Sequence, residues 1–158
     1  MQLEQDKLYI SFHRPKSIVG LLISLRTLGK YSHCELIYND YVYLSNPGGV
    51  RIKPFVRKEN MDIFELDNRI EIPIVLEEFK KLKGKGYDYW AIFLAQLLKL
   101  GIEHKDKYFC SELCLHLINK GLDDSLTYNL KTLKASDFSP VKLFKYLKFM
   151  ELLKRKVE

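Results

Sequence analysis

The chain has 158 residues, of which 47% are apolar, and a formal net charge of +6. This length predicts a single domain over residues 1–158 whose core needs no staples, and the composition excludes a disordered or fibrous chain. Three cysteines, an odd number, argue against a disulfide framework; with no basic-then-apolar run in residues 1–7, they place the chain in a reducing, cytoplasmic setting.

In chain order, residues 8–12 read as a short buried strand ended by His13-Arg14-Pro15. Residues 16–28 carry Ile18, Val19, Leu21, Leu22, Leu25 and Leu28 at helical spacing, with Gly29 as the stop. The apolar run 18–25 is interrupted by Gly20 and Ser24 and is far too short to cross a bilayer. A hairpin follows: strand 32–38, the turn Asn39-Asp40, and strand 41–45, ended by Asn46-Pro47-Gly48-Gly49. Further strands are expected at 50–56, 62–66 and 70–75, and a helix at 77–82. A second helix is expected from Asp88 or Tyr89 to Leu100, and a third from Cys110 to about Lys120 with Gly121 as its cap. Ser139-Pro140 opens a last helix to about Lys154. Helices and strands in this order predict an α+β fold around an antiparallel sheet.

Chemistry concentrates in two segments, Tyr31-Ser32-His33-Cys34-Glu35-Leu36 and Tyr108-Phe109-Cys110-Ser111-Glu112-Leu113. Cys110 falls in the first turn of its helix, where free N–H groups and the dipole favour a thiolate and can hold an oxyanion. A histidine beside that thiolate completes a nucleophilic pair, and His33 is the candidate. Cys114 lies one turn further on and reads as a small core residue. Cys34 adjoins His33, but neighbouring strand residues point to opposite faces, so those two do not pair. His13, His104 and His116 show no partner pattern. No spacing of metal-ligand type is present, so neither metal nor cofactor is expected.

The hairpin supplies candidates for a third member. With Asn39-Asp40 as the turn, cross-strand partners have numbers summing to 79, which sets His33 opposite Asn46 and makes Asn46 the leading candidate to orient the imidazole. Glu35, on the same face two residues along, is the second. Ser45 is the third, brought opposite by a one-residue slip.

These segments resemble the circularly permuted branch of the papain-like NlpC-type superfamily, which includes bacterial lipoprotein-like amidases, a poxvirus protein and the lecithin:retinol acyltransferase group. Thr27, Gly29, Tyr31, Ser32 and His33 match a T-G-x-Y-S-H segment entering a strand. Gly86-Tyr87-Asp88-Tyr89-Trp90 is similar to the family's Y-D segment, residues 108–113 to its x-x-C-S-E-L nucleophile motif, and residues 135–140 to its late loop ending in S-P. The resemblance implies a permuted papain-like fold, an antiparallel sheet or half-barrel packed against helices with the nucleophile at a helix N-terminus. It implies Cys110 as nucleophile, His33 as general base, and a polar third residue on or near the next strands, often Glu; Asn serves that role in papain-like sites.

The expected activity is a cysteine amidase, peptidase or acyltransferase working through a thioester on an acyl, peptide or lipid-like substrate. Tyr87, Tyr89, Trp90 and Phe93 could line an acyl pocket, although aromatics at helical spacing more often form core. The rival is a non-catalytic module on the same fold. It would contact anionic membrane or an acidic partner through a basic last helix bearing Lys142, Lys145, Lys148, Lys154, Arg155 and Lys156. No nucleic-acid platform is recognisable, so nucleic acid is not an expected partner.

Overall fold

Six antiparallel strands, in the order β4-β3-β2-β1-β5-β6, make one sheet packed against helices, an α+β arrangement. The computed structural model describes residues 3–26, 28–86, 109–122 and 138–157. In chain order the elements are β1 (Tyr9–His13), α1 (Ile18–Arg26), β2 (His33–Tyr38), β3 (Tyr41–Asn46), β4 (Gly49–Pro54) and β5 (Met61–Leu66). They continue with α2 (Ile72–Leu82), α3 (Cys110–Gly121), α4 (Pro140–Phe149) and β6 (Leu153–Val157). The helix expected over 88–100, the Tyr87–Phe93 aromatics and His104 lie outside the described residues.

The β2–β3 hairpin has the register that its turn dictates. Asn39 and Asp40 both take positive φ, 43° and 62°, the combination a two-residue type I′ turn requires. The pairs Tyr38↔Tyr41, Ile37↔Val42 and Leu36↔Tyr43 follow. At the next turn Gly49, at φ 85°, faces the carbonyl oxygen of Lys85, which a Cβ would approach to 2.6 Å. A side chain there would displace the segment that follows α2.

Alternation along the strands divides the core in two. Ile10, Phe12, Cys34 and Leu36 face the helices, against Leu113, Leu117, Ile118, Leu143 and Leu147. Tyr9, Ile37, Val42, Leu44 and Ile63 line the other face, with Leu3 and Phe55 folded against it. On β1 and β2 the polar residues Ser11, His13, His33 and Glu35 keep phase with this second face.

Two expectations are corrected. Residues 70–75 are not a strand: α2 begins at Ile72 with Pro73 in its first turn, and Val75, Phe79 and Leu82 form its buried stripe. Proline has no N–H for a sheet ladder but fits a first helical turn, so the apolar run starts a helix. The last helix stops at Phe149 rather than near Lys154. After Glu151, at φ 55°, the chain returns as β6 and pairs with β5. Lys154, Arg155 and Lys156 therefore lie on an edge strand, ion-paired to Asp67, Glu65 and Asp62 respectively. The helix expected over 16–28 is present as α1, with Ile18, Leu21, Leu22 and Leu25 exposed and Gly20 buried against Pro15 and Ser32. Ser139 likewise caps α4 as its sequence suggests, accepting a hydrogen bond from the Lys142 N–H at 3.2 Å.

Candidate active site

His33 begins β2 and Cys110 begins α3, and the folding of α3 over β2 brings thiol and imidazole into contact. Local bonds fix the start of α3. The Phe109 N–H donates to Glu112 Oε2 at 3.2 Å, and the buried Ser111 hydroxyl donates to the Phe138 carbonyl. The first intrahelical bond runs from Leu113 N–H to Phe109 O, 2.8 Å. The N–H groups of residues 110–112 thus have no carbonyl partner within the helix.

Three groups act on the Cys110 sulfur, which belongs to a residue only 7% exposed. The Cys34 thiol, donating a hydrogen bond, is the strongest influence; burial opposes it, and the charge and hydrogen bond of His33 and the Cys34 backbone act with it. Together they hold the Cys110 thiol well below its ordinary pKa. Cys34 is itself pushed up by burial and by its contacts with Cys110 and Cys114, so it remains a protonated donor.

For His33 burial disfavours the charge, but the neighbouring thiolate and Glu35 outweigh it and raise the imidazole to about 10. The two shifts together favour thiolate and imidazolium over the neutral pair. Cys34 and His33 do point to opposite faces of β2, as expected, yet both converge on Cys110. Cys34 thus acquires a part that the alternation argument had denied it.

Behind His33 lies a buried polar ladder. Glu35 Oε2 is 3.5 Å from His33 Nε2, and its Oε1 is 3.1 Å from His13 Nε2. His13 and His33 are register partners on β1 and β2, as are Ser11 and Glu35. The two rings meet edge to face at 5.1 Å, and Ser11 Oγ lies 3.1 Å from His13 Nε2. Burial pushes the Glu35 carboxyl up, but hydrogen bonds from the two histidines keep it below the usual carboxylate range. His13 is pushed down chiefly by burial, partly offset by Glu35. It is therefore neutral at pH 7, with Nε2 carrying the proton it gives to a carboxylate that can only accept.

The candidates for third member separate clearly. Glu35 touches His33. Asn46 lines the same cleft as His33, but its buried Oδ1 has no hydrogen-bond partner. Ser45 is fully buried and pairs with Val50, a residue of the helix-side core. His13 was not foreseen: its signal was the phase Tyr9-Ser11-His13, which becomes readable only once β1 is known to pair with β2. His116 is also partnered, 2.8 Å from Glu78, and joins α3 to α2 away from the site.

A cleft of about 410 Å³ opens on the sheet face that carries His13, His33 and Glu35. Val42, Leu44 and Pro54 form an apolar wall, and Lys53 and Lys58 also line it. Cys110 does not line it; His33 links the cleft to the thiol. Among the described residues no group of three or more His, Cys, Asp or Glu side chains could hold a metal ion, and no helix is long and apolar enough to cross a membrane. No protein-family model and no curated protein matches this sequence, so the chemistry of the site is read from its own residues.

Proposed function

We propose that this chain is a cysteine-dependent hydrolase or acyltransferase that cleaves an amide or ester through a thioester, on a circularly permuted papain-like fold. The observation that carries the reading is Cys110 at a helix start, in contact with the His33 ring, whose Nε2 lies 3.5 Å from the buried Glu35 carboxylate. A structural cysteine has no need of that arrangement, whereas an acyl-transfer nucleophile requires all of it.

The steps follow from the charges. The Cys110 thiolate attacks the acyl carbonyl, and first-turn N–H groups of α3 take up the developing oxyanion. His33, already protonated, gives its proton from Nδ1 to the leaving nitrogen or oxygen as the thioester forms. Neutral His33 then takes a proton from water or another acceptor, which attacks the thioester. Collapse of that intermediate releases the acyl product, and the resting thiolate–imidazolium pair returns. Glu35 accepts from His33 Nε2 throughout, and so positions the ring and favours its charged form.

The test is alkylation by iodoacetamide at pH 6, with the modified cysteine mapped, alongside turnover of an activated acyl ester. An ordinary thiol of pKa about 8.5 is almost wholly protonated at that pH. Rapid modification of Cys110, lost in Cys110→Ser together with ester turnover, is expected. Labelling that persists in Cys110→Ser rejects the nucleophile. Cys110 labelling without any acylation by the ester rejects catalysis and favours the binding module.

A further inference from the structure

The cleft beside His33 carries an imbalance of charge that the acyl-transfer reading does not use. Its ionisable lining is His13, His33, Glu35, Lys53 and Lys58. Glu35, at 3.1 Å from neutral His13 and 3.5 Å from His33, is matched by the His33 charge; the Cys110 thiolate behind that ring adds one negative charge, so Lys53 and Lys58 leave the group with a net charge of +1. Lys53 and Lys58 have no carboxylate partner among the described residues, in contrast to Lys154, Arg155 and Lys156. Lys53 is paired with Val42 in the β3–β4 register. Because cross-strand partners share a face, its ammonium stands beside the apolar wall. Lys58 follows β4 in the loop that leads to β5, close enough to His13 to disfavour that ring's charge.

We infer that the cleft is a subsite for an acyl compound carrying an anionic group, a carboxylate or a phosphate, held by Lys53 and Lys58 with its apolar part along Val42, Leu44 and Pro54. The inference rests on the proposed acyl chemistry for its purpose but not for its test. Two ammonium groups without a carboxylate partner among the described residues, at the edge of a low-dielectric wall, attract one anion, and surrounding water, salt and the nearby thiolate limit the gain. A selectivity of roughly tenfold for acid over neutral analogue is the expected scale.

The experiment titrates isotope-labelled Cys110→Ser protein, which cannot turn the ligand over, with N-octanoylglycine, octyl phosphate and the neutral N-octanoylglycinamide, followed by NMR. The acids should bind roughly tenfold more tightly than the amide, with shifts at β3 and β4, and the preference should shrink as salt is raised. In the Lys53→Ala/Lys58→Ala protein the preference should fall below about twofold while amide binding stays constant. Preference for one acid over the other identifies the anion. Equal binding of acid and amide, or a preference that survives the double substitution, overturns the inference.

A parallel measurement ties the subsite to Cys110: N-octanoylglycine should slow iodoacetamide alkylation in the otherwise wild-type protein but not in the lysine variant. Failure of Cys110 to react at all would sink the nucleophile and leave the binding result standing. Binding without protection would detach the cleft from the reaction and overturn its role as a substrate subsite.

Discussion

Two ionised, buried carboxylates share one sheet and behave differently. Asp62 on β5 is surrounded by fixed cations and a phenol: Lys156 at 2.9 Å, Lys30 at 3.3 Å, Arg14 at 3.7 Å and the Tyr31 hydroxyl at 2.7 Å. Glu35 on β2 is surrounded by two imidazoles. Both carboxyls are held low against burial, Asp62 at about 2. The difference lies in the partners. Lysine and arginine keep their charge at any physiological pH, so Asp62 joins β5, β6 and the loops flanking α1 into a fixed unit. The charge of each imidazole is set by the site, His13 being neutral at pH 7 and His33 raised to about 10, so Glu35 helps set the proton affinity of a neighbour that touches a thiolate. Buried carboxylates can thus be a fastener or a control on chemistry, according to whether their partners carry a fixed charge or one that the site itself sets.

The largest separation should come from isosteric neutralisation. Glu35→Gln should lower acyl turnover by about 10²-fold or more, because an amide no longer favours the imidazolium or fixes its orientation. Asp62→Asn should leave turnover of the folded protein near wild type. Comparable losses of turnover in both variants would erase the distinction. Asn46→Ala sharpens it further: with no hydrogen bond to lose, it should alter turnover by less than about threefold.

Stability should fall when Asp62 is neutralised, even though turnover does not. The Asp62 carboxyl lies at about 2 against an ordinary 3.8. Its ionised form therefore stabilises the fold above about pH 4, and that contribution, roughly 2 kcal/mol, is lost as pH falls toward 2. Denaturant unfolding of Asp62→Asn at pH 7 should show a loss of this size, and a weaker acid dependence than wild type. An unchanged midpoint would remove Asp62 from its fastening role.

The pH profile gives the next effect. His33 is raised to about 10, so its imidazolium persists through neutral pH and is lost as pH rises through 10. Ester turnover, which needs that proton for the leaving group, should fall along this limb, whereas alkylation of the thiolate should not. In Glu35→Gln the limb should move down by about one unit or more. In Asp62→Asn it should stay in place. A limb shared by turnover and alkylation would contradict the assignment of His33 as acid.

The smallest effect is expected at Lys156→Ala. That ammonium is half-exposed and shares Asp62 with Lys30, Arg14 and Tyr31, so unfolding should change by less than about 1 kcal/mol. A larger loss would mean that β6 depends on this one pair.

Much of the fold was legible because local chemistry dictates it. Asn39-Asp40 fixes a two-residue turn, and with it the hairpin register. Ser139-Pro140 opens α4 through a hydroxyl cap and a proline that needs no donor. The misreadings came where two local signals compete. Residues 70–75 are apolar enough for a strand, but Pro73 favours a helix start. The basic residues 154–156 continue a helical pattern on paper, yet the chain turns at Glu151 because β5 offers an unpaired edge with Asp62 and Glu65 on it and Asp67 just beyond its end.

At the site the sequence by itself determined the types of group and the start of α3: a cysteine in a first helical turn, a histidine opening a strand, and Glu35 in phase with that histidine. Tertiary structure alone decided their company. His13 reaches Glu35 only because β1 lies beside β2, a pairing between residues about twenty positions apart that no local pattern encodes. Cys34 reaches Cys110 because α3 packs on the helix-side face of β2, while His33 reaches the same sulfur from the strand's first residue. The choice of Glu35 over Asn46 as neighbour of the imidazole has the same origin. Register made both available, and the folded sheet gave Glu35 two partners and Asn46 Oδ1 none.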